Sequence, residues 1–231
     1  SAVSPDNPVY LTHASGHAMM TNLKALELAG VDHTTPDPPG GRIIRDNKGM
    51  PTGVFLENAE SLIYEKLAES QNSRSEKEIE SYDHQAFEAA IEACLSNGIT
   101  SFHDAGASFK RVDFYKKMSD EGQLAIRLWV MLSENNEKLK KGISKYKILN
   151  YGNHHLTVRA IKRYMDGALG ARGAWLLNPY TDLISSHGLP STPLAEMREV
   201  AKISIDNGFQ LCTHAIGDRA NRETLNLYEE I

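Results

Sequence analysis

The sequence lacks several features by which particular protein classes are recognised. It has only two cysteines, Cys94 and Cys212, which indicates two reduced thiols rather than a disulfide framework. No apolar run is long enough to cross a bilayer, and the net charge of −5 offers no basic surface for nucleic acid. No signal segment is visible. We therefore expect a cytoplasmic protein that binds neither membranes nor nucleic acid.

Common cofactor motifs are also missing. The 231 residues contain no Walker loop, no dinucleotide-binding fingerprint and no Cys-x-x-Cys pair. The composition is 41% hydrophobic and 24% charged, which is ordinary for a globular protein. The length suits one domain, with room for a small appendage.

Two segments of the chain present the same order of features. In each, a glycine ends an amphipathic helix, a short apolar strand follows, and a histidine and an aspartate stand at or just after the end of that strand. The first segment ends in His103 and Asp104, and the second in His214 and Asp218. In β/α barrels the carboxyl ends of the strands carry the chemistry, so this pattern predicts histidine chemistry at such an edge.

Beyond residue 75, predicted strands alternate with predicted helices, which indicates parallel strands with right-handed crossovers. The strands are predicted at 99–103, 125–132, 156–164 and 209–214, and the helices at 81–95, 109–120 and 194–206. A closed barrel needs eight strands, so we expect an α/β fold that is part of a (β/α)8 barrel and a piece of a longer protein. A complete open sheet is the alternative.

The first 75 residues have a different pattern. They predict a strand at 9–11, a helix over 18–29, a hairpin around 42–44 with its turn at 47–49, and a second helix over 54–72. The charged segment 73–80 is expected to cap the next helix. Much later, the 166–193 loop exceeds ordinary connections in length, which indicates a functional loop.

Lys162 lies in a predicted strand whose alternation places Lys162, Tyr164 and Asp166 on one face. Three roles fit this lysine. Carbamylation would make it an anionic metal ligand, a depressed pKa would make it a Schiff-base nucleophile, and an outward orientation would leave it without a function.

Other polar residues also have a functional and a structural interpretation. His214 fits a metal ligand or a hydrogen-bonded strand end. Asp104 and Asp166 fit metal binding, orientation of a histidine or general-base chemistry, or simple capping of loops. His17 fits a helix cap or a substrate contact, and Arg172 fits recognition of an anion or carbonyl, or a solvated side chain.

Nine phrases in the sequence, taken together, resemble the amidohydrolase superfamily of metal-dependent hydrolases, in its YtcJ-like branch, which includes N-substituted formamide deformylases. They follow the family's order along the whole chain: SPDNPV (4–9), SGHA (15–18), NLKALELAG (22–30), TPDPPGGRI (35–43), GMPTG (49–53), GITSFHDA (98–105), DGALGAR (166–172), PY (179–180) and HAIGDRA (214–220).

The resemblance implies a fold and a division of the chain. Residues 1–75 would be an inserted α+β subdomain, and residues 76–231 a partial (β/α) barrel. The strands near 99, 126, 158 and 210 would be barrel strands two to five, with strands six to eight lying outside this sequence.

The resemblance also implies an activity. The family uses one or two divalent metals, usually Zn2+, to activate a water that hydrolyses C–N bonds of small amide- or formamide-type substrates. Lys162, as a possible carbamylated lysine, and His214 match metal-ligand positions. Asp104 and Asp166 are predicted to be catalytic, and His17, Arg172 and Asp218 to bind substrate. The family's first-strand His-x-His pair has no counterpart here, so this chain alone is expected to be inactive.

Two other functions stay open. One is an aldolase-like barrel that uses Lys162 as a Schiff base. The other is a non-catalytic half barrel that forms a homo-oligomer in order to cover its open sheet edges.

Overall fold

The computed structural model describes residues 3–71 and 75–231. In chain order the elements are β1 (Tyr10–Thr12), β2 (Ala18–Thr21), α1 (Leu23–Ala29), β3 (Gly41–Arg45), β4 (Pro51–Glu57), a 3-10 turn (Asn58–Glu60), α2 (Ser61–Gln71), α3 (Glu76–Ser96), β5 (Ser101–Ala107), α4 (Phe109–Asp120), β6 (Arg127–Leu132), α5 (Asn136–Gly142), a second 3-10 turn (Ile143–Lys145), β7 (Ile148–Asn150), a single turn α6 (Tyr151–His154), β8 (Leu156–Tyr164), α7 (Leu194–Asn207), β9 (Gln210–His214) and α8 (Asp218–Glu230).

The chain divides into two compact units. Unit 1 comprises residues 1–74, 164–193 and 215–230, and unit 2 comprises residues 75–163 and 194–214 together with Ile231. The segments 164–193 and 215–230 thus belong to the same compact unit as the N-terminal segment. The division into an inserted subdomain over 1–75 and a partial barrel over 76–231 stays a prediction.

Unit 1 contains a four-stranded antiparallel sheet in the order β1-β2-β4-β3. Met19 on β2 and Ile43 on β3 both lie opposite Phe55 on β4, and all three side chains are buried. Alternation along each strand places this row on one face. Leu26 of α1 and Ile63 of α2 belong to the same core, so the two helices cover that face of the sheet.

The predicted helix over 18–29 is wrong for its first four residues, which form β2. Met19 and Leu26 have a spacing that suits a helix, but the side chain of Asn22 accepts a hydrogen bond from Ala25 N and makes Asn22 the N-cap of α1. The helix therefore starts at Leu23. It ends at Gly30, whose left-handed backbone (φ 67°) carries two bonds to the last carbonyls.

The predicted hairpin is confirmed by the pairing of β3 with β4. Asp46 N donates to Met50 O at its turn. The predicted helix over 54–72 is wrong for 54–57, since Val54 and Phe55 pair with strands on both sides. Residues 72–74, where that helix was predicted to end and the charged cap to begin, lie outside the described ranges.

Unit 2 is built on parallel strands, as predicted for an α/β fold. β5 pairs with β6 and β6 with β8, both in parallel, while the short β7 pairs antiparallel with β8 and β9 also pairs with β8. Buried residues of β6 and β8 form the centre of this sheet: Leu128, Val130, Leu132, Leu156, Val158, Ala160 and Ile161. Closure of these strands into a barrel remains a prediction.

Element boundaries in unit 2 follow the sequence closely. α4 and β8 have the predicted limits. α3 begins earlier than predicted, because Ser75 and Glu78 form a capping box at its start, and β5 extends to Ala107. Cys94 and Cys212 are both free thiols. Within the described ranges, no helix has the length and apolar character needed to span a bilayer.

Candidate functional site

In unit 2, strand pairing brings the predicted metal ligands Lys162 and His214 onto neighbouring strands. Lys162 lies near the carboxyl end of β8, and His214 is the last residue of β9, which pairs with β8. Burial lowers the pKa of Lys162, and a negative charge on Cys212 would raise it. Burial also raises the pKa of the Cys212 thiol, which favours its uncharged form. The lysine therefore lies in surroundings that favour its neutral amine.

Asp104 and His103 lie on β5 in the same sheet. Oδ2 of Asp104 accepts a 2.7 Å hydrogen bond from the Tyr115 hydroxyl of α4, and the His103 ring lies 5.1 Å from that of Trp129 on β6. Since β6 separates β5 from β8, the backbones of β5 and β8 are roughly 10 Å apart. The sheet thus separates Asp104 from Lys162, and the predicted catalytic role of Asp104 stays a prediction.

In unit 1, Asp166 follows the end of β8 and is completely buried. Its Oδ2 accepts hydrogen bonds from Trp175 N and Gly217 N, each at 2.7 Å, and its Oδ1 accepts one from Ile216 N at 2.9 Å. One carboxylate thereby joins the 166–193 loop to the segment just after β9. The contacts describe an anchor for backbone, and its predicted catalytic role stays a prediction.

Asp218 and Arg172 are placed in different surroundings. Asp218 begins α8, and its Oδ1 accepts a 2.8 Å bond from Leu177 N in the loop. The guanidinium of Arg219 lies 4.5 Å from the centre of the Trp175 ring. Arg172 forms an exposed ion pair with Asp182 at 2.8 Å. The substrate-binding roles proposed for Asp218 and Arg172 remain untested predictions.

His17 leads to a second polar site in unit 1. Its Nδ1 donates to Oε2 of Glu57 at 2.8 Å. Asn22 rather than His17 caps α1. Oε1 of Glu57 accepts a 3.2 Å bond from Ala168 N. The predicted role of His17 in substrate binding stays a prediction, but the histidine does have a carboxylate partner.

The backbone of Glu57 adopts a conformation that is rare for residues other than glycine. Its φ is 53° and its ψ is −132°, a conformation that is strained for any residue other than glycine. The side chain is only 5% exposed. Strained residues with buried polar side chains cluster at functional sites, which makes Glu57 a candidate that the sequence reasoning missed.

Glu60 lies three residues further along and is only 6% exposed. Burial raises the pKa of its carboxyl group, and the charge of Glu57 raises it further. A hydrogen bond from Tyr64 and the charge of His17 lower this pKa in part. The two glutamates and His17 line a cavity of about 470 Å³ whose wall also includes Asp166, Ser191 and Thr192. No motif in the sequence marked these glutamates.

The described ranges contain no group of three or more His, Cys, Asp or Glu side chains arranged to hold a metal ion. Lys162 and His214 therefore constitute part of a donor set at most, because a catalytic zinc usually has three protein ligands.

A protein-family model described as "Amidohydrolase family" matches residues 1–231. The chain is 30% identical over 235 residues to YtcJ of Bacillus subtilis, whose name describes it as an amidohydrolase. It is 27% identical over 236 residues to the N-substituted formamide deformylase of Arthrobacter pascens. These alignments cover 98% and 99% of the chain but only 41% and 42% of the relatives.

The fold has a similar counterpart among solved structures. The crystal structure of an uncharacterized metal-dependent hydrolase from Pyrococcus furiosus matches 97% of the chain and 44% of that protein, with a TM-score of 0.64 and 27% sequence identity. The chain thus spans less than half the length of the proteins that it matches.

Proposed function

This chain belongs to the amidohydrolase family, and we propose that it carries part of the site of a metal-dependent hydrolase that cleaves C–N bonds of small amide- or formamide-type substrates. The observation that carries the proposal is the placement of Lys162 and His214 on the paired strands β8 and β9. Two potential ligands on paired strands of one sheet suit a metal site.

The chemistry of these two side chains fits a divalent metal. A carbamate forms when a neutral lysine amine bonds to the carbon of CO2 and loses a proton, and burial, by lowering the pKa of Lys162, favours that neutral amine. The carbamate oxygens and the His214 imidazole are ligand types that Zn2+ accepts. We propose that the other ligands come from the part of the family sequence that this chain does not span.

A divalent metal bound there would lower the pKa of a coordinated water and polarise the carbonyl of the substrate. The chain's own residues would orient the ligands. Asp166 accepts hydrogen bonds from the backbone N–H groups of Ile216 and Gly217, which lie two and three residues after His214, and so restrains the chain next to His214. Asp166 is in this view a positioning residue, and the name of the Arthrobacter relative supports formamide-type substrates.

Two experiments test the ligand assignment on the 231-residue chain. Equilibration with ¹³C-bicarbonate, followed by ¹³C NMR, is expected to give a carbamate signal that Lys162→Ala abolishes and the control Lys202→Ala keeps, because Lys202 is exposed on α7. Titration with Zn2+ is expected to show binding that Lys162→Ala and His214→Ala weaken, whereas the exposed His187→Ala does not. Unchanged Zn2+ binding in both ligand variants would contradict the proposal.

The reaction itself is tested with a panel of N-alkyl formamides, amides and esters on the longest form of the protein that can be produced. Metal-dependent release of amine, lost on chelation and restored by Zn2+, is the expected result. A lowered Lys162 pKa also suits a Schiff base with a carbonyl substrate. Treatment with an aldehyde and borohydride, which reduces such a Schiff base to a stable adduct, tests this alternative. A covalent adduct at Lys162 without any metal dependence would favour the aldolase.

A further inference from the structure

The cavity of unit 1 that contains His17, Glu57 and Glu60 has a surplus of hydrogen-bond acceptors. Three acidic residues line it, namely Glu57, Glu60 and Asp166, and among its described lining residues there is no lysine or arginine. The donors that the wall does contain are largely used internally. His17 Nδ1 donates to Glu57, and both hydrogens of the Asn58 amide go to the carbonyls of Pro39 and Ser191.

One carboxylate oxygen in the wall of this cavity has no hydrogen-bond donor among the described residues. Oε1 of Glu60 is shielded from solvent and accepts no hydrogen bond from any residue in the described ranges. A buried oxygen without a donor destabilises the folded state by about 1–3 kcal/mol, so its retention calls for an explanation. Asp166, by contrast, has both of its oxygens bound to backbone N–H groups. The unsatisfied acceptor in the wall is thus Glu60.

We propose that this cavity binds a small organic cation, through a primary ammonium group that donates a hydrogen bond to Oε1 of Glu60 and is attracted by the negative charge of Glu57. An ammonium group brings three N–H donors and a positive charge, and the described residues of this wall include more acceptors than free donors and no lysine or arginine. The cavity volume of about 470 Å³ leaves room for an organic body beside the ammonium group, and lies within the range of small-molecule sites.

A bare divalent ion fits this wall less well. Ca2+ and Mg2+ require six or more oxygen ligands in a shell around the ion, and the described ranges offer no group of three or more acidic, histidine or cysteine side chains in such an arrangement. One oxygen of Glu57 is already bound by His17 and the other by Ala168 N. The acceptor proposed here, Glu60, is a different residue from the proposed metal ligands Lys162 and His214.

The probe for the test is n-butylammonium chloride, titrated into the 231-residue chain by calorimetry near pH 8, with 1-butanol and butyrate as neutral and anionic analogues. We expect binding of the ammonium compound and none of the other two. Glu60→Gln keeps the size of the side chain and removes its charge, and is expected to weaken the affinity about tenfold or more, since a hydrogen bond to a charged group contributes that much. Glu69→Gln, which changes an exposed carboxylate of the same unit, is the matched control.

A steric variant keeps the test decisive if Glu60→Gln does not fold. Thr192→Leu enlarges a lining residue and leaves every carboxylate in place, and is expected to abolish binding. The affinity should also fall as the pH is lowered from 8 towards 5. Burial raises the pKa of Glu60, so this carboxyl group takes up its proton at a higher pH than an exposed one and then loses the negative charge that attracts the ammonium group.

Three results would overturn the proposal. The first is equal binding of 1-butanol and n-butylammonium. The second is full affinity in both Glu60→Gln and Thr192→Leu. The third is binding of Mg2+ or Ca2+ that Glu60→Gln abolishes, without any binding of the ammonium compound.

Discussion

Nδ1 of His17 donates a 2.8 Å hydrogen bond to Oε2 of Glu57, a residue 40 positions further along the chain. The bond joins the segment before β2 to the last residue of β4. Because Glu57 adopts a φ of 53°, its surroundings must hold it there against its own backbone preference. Its other oxygen accepts from Ala168 N, so one strained carboxylate connects three distant segments of unit 1.

The carboxylate of Glu57 packs closely against Gly167 and Gly173, so we expect a methyl group at either glycine to destabilise the fold. A Cβ at Gly167 would lie 1.8 Å from Oε1 of Glu57, and one at Gly173 would lie 2.0 Å from the same atom. Gly167→Ala and Gly173→Ala are each expected to lower the free energy of unfolding by about 1–3 kcal/mol, since the carboxylate must leave its partners to make room. Urea denaturation followed by circular dichroism measures this change.

Gly170→Ala is the matched control in the same loop, because a Cβ there meets no atom within 4 Å. Its midpoint should stay at the wild-type value. If all three variants unfold at the same urea concentration, then Glu57 is not held in the position described.

The buried carboxylate of Asp166 predicts a large effect on stability. Asp166→Asn keeps the shape but replaces one accepting oxygen by an NH2 group that faces a backbone N–H. We expect a loss of about 2–3 kcal/mol in the free energy of unfolding, because at least one buried N–H loses its acceptor. Asp182→Asn changes an exposed ion pair instead and should leave the free energy of unfolding nearly unchanged, because solvent screens such pairs.

This comparison also separates two roles for Asp166. A positioning role predicts that stability and zinc affinity fall together, because the chain next to His214 loosens. A loss of hydrolytic activity with unchanged stability would point to a direct catalytic role instead.

Glu60 predicts a pH-dependent difference between wild type and a neutral variant. In the unfolded chain its carboxyl group releases its proton near the ordinary pKa of 4.5, whereas burial in the folded protein holds the proton to higher pH. The folded state therefore binds more protons than the unfolded state between these two pKa values, and stability falls as the pH rises through that interval. At pH 8 the ionised side chain destabilises the fold.

Glu60→Gln removes this destabilisation. The variant should be more stable than wild type at pH 8, and its advantage should shrink as the pH falls towards 4, where both unfolded and folded wild type are protonated. Urea melts at three pH values measure the trend, with the exposed Glu69→Gln as reference. If the stability gain of Glu60→Gln over wild type grew as the pH fell, the predicted direction of the pH dependence would be wrong.

Local sequence patterns were sufficient for several elements. The helix at Phe109–Asp120 and the strand at Leu156–Tyr164 have their predicted limits, because the 3.6- and two-residue periods of apolar side chains are properties of neighbouring residues. The first turn of the predicted 18–29 helix was wrong, since Met19 suits either a helix face or a buried strand position, and pairing with Phe55 decided between them.

The same distinction applies to the site. The sequence by itself determined the family, the parallel α/β character and the presence of Lys162 and His214 near strand ends, all of which follow from contiguous residues. Only the tertiary structure decided that Asp166 is enclosed by three N–H groups and that Glu57 contacts His17 and Ala168. Those contacts join residues as many as 111 positions apart. No local pattern encodes them, because they depend on where the folded chain brings distant backbone and side chains together.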